Sequence, residues 1–243
     1  DADAADASGA DAQDEADAPP TWCDLLKPTA DYCDDFDHEL LVDRWDNRNR
    51  NPDIGASGGG GIAPDLVRYR SSPRGASLSI PALVDKTVAA SAILQKSLHD
   101  APPDMTIELE IFVGTEYFPG NAGSVPLLSV AYGATPELLF LVRRASGTWL
   151  IAGPETPVML TTPIVVGEWT TVSVVLENHA LDSGPDGRVR VRVNQRDAAQ
   201  SPLPASWQAL TEQKLVVGPI TSGPMGAFQM TTDNVRIWAR ADL

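Results

Sequence analysis

Val172, Val174 and Leu176 alternate with Thr171, Ser173 and Glu177, and Val189, Val191 and Val193 alternate with Arg188, Arg190 and Arg192. Successive strand side chains point to opposite faces, so this period of two predicts a pair of half-buried antiparallel strands, each with one face on a core. The turn-forming run from Asp182 to Gly187 reverses the chain between them. The same period marks a strand at Ile107, Leu109, Ile111 and Val113, and another near the C-terminus at Val235, Ile237 and Ala239. Leu66–Arg70, Ala76–Ile80, Val125–Tyr132, Glu137–Arg143, Thr148–Ala152 and Lys214–Ile220 read as further short strands divided by Gly, Pro and Ser, while Met159–Val166 leads into the hairpin. Lys86–His99 contains helix-favouring alanines but is read as a strand in this succession; Pro202–Lys214, around Trp207, is expected to form a helical turn or two. Many short strands and few helical stretches predict an all-β sandwich or barrel.

With 243 residues the chain can hold one large sandwich or two small domains. The first twenty residues contain six Asp, one Glu and no base, with no aromatic or β-branched residue. Such a segment cannot bury enough apolar surface to offset its ordering entropy, so residues 1–20 are expected to be a disordered acidic leader and 21–243 the sandwich. Net charge is −15 over the whole chain, and the 26 acidic and 18 basic residues beyond the leader leave −8. This balance argues against nucleic acid, whose binding rests on Lys and Arg. No apolar run approaches the length of a membrane span. Cys23 and Cys33, the only cysteines, suit a disulfide in an oxidising compartment; the competing reading is two reduced thiols in a cytosolic protein. The absence of an initial Met fits an exported chain whose targeting segment has been removed.

Three short motifs carry a family likeness. Asp34-Asp35-Phe36-Asp37 is followed by Leu41 and Arg44-Trp45; Gly167-Glu168-Trp169 opens the strand that turns into Val189 to Asn194; and Asp233-Asn234-Val235-Arg236-Ile237-Trp238 closes the chain. Together they resemble the concanavalin-A-like lectin/glucanase superfamily, with its laminin-G-like jelly rolls. The resemblance implies a two-sheet antiparallel jelly-roll sandwich whose last strand pairs beside the first, with Phe36, Leu41 and Trp45 pointing inward. It also implies a lectin-like module that binds a glycan or cell-surface polysaccharide or serves adhesion. The acidic Ala/Asp/Pro leader resembles the tethers of bacterial surface lipoproteins, which implies an exported location and a lipid anchor upstream.

Candidate chemistry is sparse. Glucanases of this superfamily use a Glu-x-Asp-x-x-Glu strand to supply nucleophile and acid/base. Here the strand reads Glu108-Leu109-Glu110-Ile111-Phe112-Val113, and Val113 cannot donate a proton to a leaving group. The expectation is therefore a non-catalytic protein; the alternatives are a remote glycoside hydrolase or polysaccharide lyase with other catalytic residues, or a purely structural envelope protein. Arg188, Arg190 and Arg192 could hold an acidic polysaccharide, or else pair with Glu108, Glu110 or Glu177 on neighbouring strands. Asp34, Asp35 and Asp37 would approach Asp233 if the first and last strands pair, and carboxylates in such a group suit a structural Ca²⁺. Trp149, beside a turn, and Trp238 are candidate sugar-stacking faces. The three histidines, His38, His99 and His179, lie far apart in the chain, and the glycine run Gly58–Gly61 lacks the Lys-Ser/Thr of a phosphate loop and reads as a flexible connection.

Overall fold

The computed structural model describes residues 20–38, 41, 43–46, 56–84, 89–99, 104–116, 123–132, 137–153, 157–177, 187–203, 212–222, 224 and 226–239. The acidic leader to residue 19, the Asp182–Gly187 turn apart from its last residue, His179 and Trp207 lie outside the described residues. A 3₁₀ turn at Cys23–Leu25 is followed by β1 (Tyr32–Asp34), β2 (Ala56–Ser57), β3 (Gly61–Asp65), β4 (Gly75–Ile80), β5 (Ala89–Ala92) and β6 (Leu94–His99). Next come β7 (Met105–Glu116), β8 (Ser124–Tyr132), β9 (Glu137–Arg144), β10 (Trp149–Ala152), β11 (Val158–Met159) and β12 (Trp169–Glu177). The chain closes with β13 (Arg188–Val193), β14 (Arg196–Pro202), β15 (Glu212–Val217), β16 (Ile220–Ser222) and β17 (Phe228–Trp238).

Two antiparallel sheets make the sandwich. The larger runs β14-β13-β12-β7-β17-β4-β3, with β1 added beside β17; the smaller runs β11-β10-β9-β8-β15-β6. Strand β17 has room for two partners on one edge, because its first half pairs with β4 through Phe228 to Thr232 and its second half with β1 through Val235 to Ile237. A three-stranded sheet, β16-β5-β2, closes one side. Between the layers lies a single core whose members include Ile107, Leu109, Ile111, Val172, Val174, Val189, Val191, Val235 and Ile237 from the larger sheet and Leu94, Val130, Leu141, Leu215 and Val217 from the smaller. These are the every-second-residue apolar positions of the sequence, and burying them on one face is what drives the sheets together.

Several local expectations shift. Leu66 and Val67 are 67% and 86% exposed, and the strand predicted there lies instead at β3, upstream. Asp65 explains the displacement: its Oδ1 accepts the amides of Val67 and Arg68, so the chain turns directly after it. Lys86–His99 is indeed extended where described, but as two strands that enter different sheets. Strand β14, not anticipated from the sequence, returns from β13 through Asn194 and Gln195, both at positive φ (50° and 66°). That is the turn geometry whose twist matches flanking strands, and Asn tolerates it. Residues 212–214, assigned to a helical stretch, belong to strand β15. The glycine run is a tight turn against β5: a Cβ on Gly58 would lie 2.0 Å from the Ala89 carbonyl oxygen.

Candidate functional site

Along the larger sheet, the polar positions of the central strands face away from the core and neutralise one another. Glu177 on β12 is gripped by Arg188 and Arg190 of β13. Burial pushes its carboxyl up, but the two guanidiniums hold it below the ordinary carboxylate range. Arg192 pairs with Asp197 at 3.1 Å, Arg70 with Glu110 at 2.5 Å, and Arg236 with Glu108. The arginine ladder and the two glutamates of the incomplete glucanase motif are thus engaged with opposite charges.

Trp22 of the N-terminal arm lies against the same surface. Arg236 is 4.6 Å from the Trp22 ring and 5.6 Å from that of Trp238, and burial brings its guanidinium down to about 10 without discharging it at neutral pH. The Trp238 indole donates to the Pro28 carbonyl at 3.2 Å. Cys23 and Cys33 form a disulfide that closes the arm on β1. At the end of β1, Asp34 accepts the Phe36 amide at 2.8 Å and the Trp45 indole N–H at 2.6 Å, while Asp35 accepts the Cys23 amide at 3.0 Å. Burial, and then the neighbouring Asp35, push the Asp37 acid up to about 6. Asp233 stands apart in function: its oxygens accept the amides of Arg70, Ser71 and Asn234 at 2.6–3.0 Å.

A different environment surrounds β6. Leu94 faces the core, whereas Gln95 and Ser97 line a cleft of about 770 Å³ together with Tyr32, Asp43, Arg44, Trp45, Asp46 and Lys96. Chain 43–46 runs along the free edge of β6, where Asp46 accepts the Ser97 amide at 2.5 Å. Lys96 sits 4.8 Å from the Tyr32 ring and donates to the Arg44 carbonyl at 3.1 Å, and Tyr32 donates to the same carbonyl at 3.3 Å. Burial raises the Tyr32 phenol well above its usual range, with the Asp34 carboxylate adding to it, so the hydroxyl keeps its proton. On the ladder partner of Ser97 stands Lys214 of β15, exposed and, among the described side chains, without a carboxylate partner. Beside it the smaller sheet presents Val216, Val142 and Leu150, all of low exposure yet outside the inter-sheet core.

This succession of strands in two layers can be set against known proteins. No protein-family model matches the sequence, and no curated protein matches it. Solved structures do match. The endo-β-1,4-glucuronan lyase of the fungus Trichoderma reesei superposes with a TM-score of 0.58 at 11% identity, covering 86% of this chain and 95% of the lyase. Cellulose induced protein Cip1 gives 0.58 at 12% identity over 86% of this chain and 97% of its own. The alginate lyase vAL-1 from Chlorella virus gives 0.53 at 11% identity over 73% and 89%. The fold is a concanavalin-A-like jelly roll.

Within the jelly roll the expected sugar platform at Trp149 is absent, because this residue is only 2% exposed and its indole donates to the Ile164 carbonyl at 2.9 Å. A Trp beside a turn is exposed only if its strand parity faces outward, and Trp149 shares the inward parity of Ile151. The cleft at β6 and Lys214 beside it were not identified from the sequence. Gln95, Ser97 and Lys214 belong to three-residue alternations too short to be told from any amphipathic strand, and Tyr32 meets Lys96 only through tertiary folding.

Proposed function

We propose that this protein binds a uronic-acid polysaccharide along β6 and β15 of the smaller sheet and cleaves it by β-elimination. The observation that carries the reading is Lys214, an exposed cation free of carboxylate partners among the described side chains, on a sheet face with Ser97 and Gln95 beside it. The arginines on the larger sheet, by contrast, already have their charges met. Elimination needs the uronate carboxylate neutralised, so that a base can take the proton from C5. The electron pair then forms the C4–C5 double bond as the glycosidic oxygen leaves C4 and takes up a proton. Lys214 would neutralise the carboxylate. Hydrolysis has less support, because Glu108 and Glu110 are tied to arginines and Val113 fills the acid/base position. The names of the glucuronan and alginate lyases that share the fold support this assignment by analogy.

Glucuronan, alginate and a neutral β-glucan offered to the purified chain test it. The expected result is ultraviolet-absorbing unsaturated product from a uronate polymer and none from the β-glucan, lost in Lys214→Ala. Retention on uronate resin without product would establish a lectin-like binder. Absence of both, or binding unchanged in Lys214→Ala, would sink the assignment of the face. The disulfide fits an oxidising, extracytoplasmic setting, and no helix among the described residues is long and apolar enough to cross a membrane.

A further inference from the structure

The sugar reading leaves unused the group of side chains that follows β1. Asp34, Asp35 and His38 each offer one ligand atom, and these atoms lie within 4.8 Å of one another. Asp35 is 0% exposed, and only one of its oxygens is satisfied, by the Cys23 amide. Its Oδ1 has no hydrogen-bond partner, nor have Asp37 Oδ1 and His38 Nε2. Arg74, a neighbouring cation, donates its Nε to the Phe36 carbonyl at 2.7 Å, and no ion pair between described residues involves Asp34, Asp35 or Asp37. A buried carboxylate with an empty oxygen lobe costs free energy that evolution ordinarily removes with a hydrogen bond, a counter-charge or a metal. Two unpartnered atoms in this group, Asp35 Oδ1 and His38 Nε2, therefore call for a cation.

We propose that Asp35 Oδ1, His38 Nε2 and an oxygen of Asp34 hold a divalent transition-metal ion of the zinc class. The imidazole decides the class. Calcium takes oxygen ligands only, whereas mixed imidazole and carboxylate sets suit zinc and its first-row neighbours, usually with four ligands. The calcium expectation from the sequence rested on Asp233 as a partner, and that carboxylate already faces three backbone N–H donors. Because Asp35 also holds the Cys23 amide, an ion here would brace the disulfide arm against β1.

The full-length, oxidised chain, stripped with chelator and dialysed, is titrated with Zn²⁺ and separately with Ca²⁺, followed by calorimetry and by the melting temperature. The expected result is one equivalent of Zn²⁺ bound with a rise in melting temperature, and much weaker binding of Ca²⁺. Loss of outer-shell partners alone weakens metal sites about 10–100-fold, so His38→Gln should weaken Zn²⁺ binding by about 100-fold or more. Asp35→Asn, which keeps the shape and removes the charge, should do the same; circular dichroism checks that each variant is folded, and either one suffices if the other is not. No Zn²⁺ bound by the parent chain, binding undiminished in a folded variant, or Ca²⁺ bound as tightly as Zn²⁺ would overturn the proposal. None of these readouts depends on polysaccharide, so the site stands or falls apart from the lyase assignment.

Discussion

Asp34 gives both carboxyl oxygens to its own neighbourhood, one to the Phe36 amide and one to the Trp45 indole. Phe36 in turn stacks on Trp45, with ring centroids 6.2 Å apart and planes 4° from parallel, and does so at a φ of 60°. A non-glycine residue holds that backbone conformation only when its surroundings fix it. Asp34→Ala would leave two buried donors without an acceptor, at about 1–3 kcal/mol each. The expected outcome, measured by denaturant unfolding in chelator, is a loss of about 2–5 kcal/mol, with a smaller loss for Asp34→Asn, which keeps one acceptor. A change below about 0.5 kcal/mol, the usual size of an inconsequential surface substitution, would refute the role given to Asp34. The inward placement of Phe36 and Trp45 was legible in the sequence through the family motif; that the Asp34 carboxyl also accepts from both of them was not, because an Asp that caps a turn, binds an ion or holds an indole is the same Asp in the sequence.

At the scale of the element, the β12–β13 ladder joins Val172 to Val193 through Leu176 to Val189 on the core side, and sets Glu177 opposite Arg188 at its end. Glu177 has a pKa below the ordinary value when folded, so its contribution to stability is full above the unfolded pKa and is lost as pH falls through the folded one. Acidification from neutral pH to below the carboxylate range should lower the denaturation midpoint of the parent chain. Glu177→Gln should lose less over the same interval, and an identical pH dependence in the two proteins would contradict the pairing. The alternation made these two strands readable, because burying one face dictates a period of two. Strand β14 escaped notice because Arg196 to Pro202 has no such alternation; it is held by its register with β13 and by the Asn194–Gln195 turn. Gln95, Ser97 and Lys214 share that difficulty: their strands show which face is wet but not which wet face is left unneutralised.

Over the whole molecule, the N-terminal arm and the sandwich are held by different means. The sheets share a continuous apolar core. The arm is fixed by the Cys23–Cys33 bond, ten residues apart, by Ala239 donating to Asp31 at 2.6 Å, and by Trp22 on Arg236. Closing so short a loop contributes about 2–3 kcal/mol, and it constrains the arm rather than the sheets. Reduction should therefore raise amide exchange through residues 20–31 while β7 and β17 keep their protection. Loss of protection in β7 on reduction would show that the disulfide supports the sandwich itself.

The sequence by itself determined an all-β fold, because a hydrophobic period of two leaves each strand one apolar face to bury in a sandwich or barrel, and its motifs, through the family they resemble, pointed to two layers in which the first and last strands meet. Tertiary structure alone decided which charges cancel and which remain. Glu108, Glu110, Glu177 and Asp233 find their partners 162 residues away or across a single strand with equal ease. Coulomb energy and hydrogen bonding depend on distance in space, and separation along the chain carries almost no information about that distance. For that reason Lys214, without a carboxylate partner among the described side chains, and the unpartnered atoms after β1 became visible only once the strands were in register.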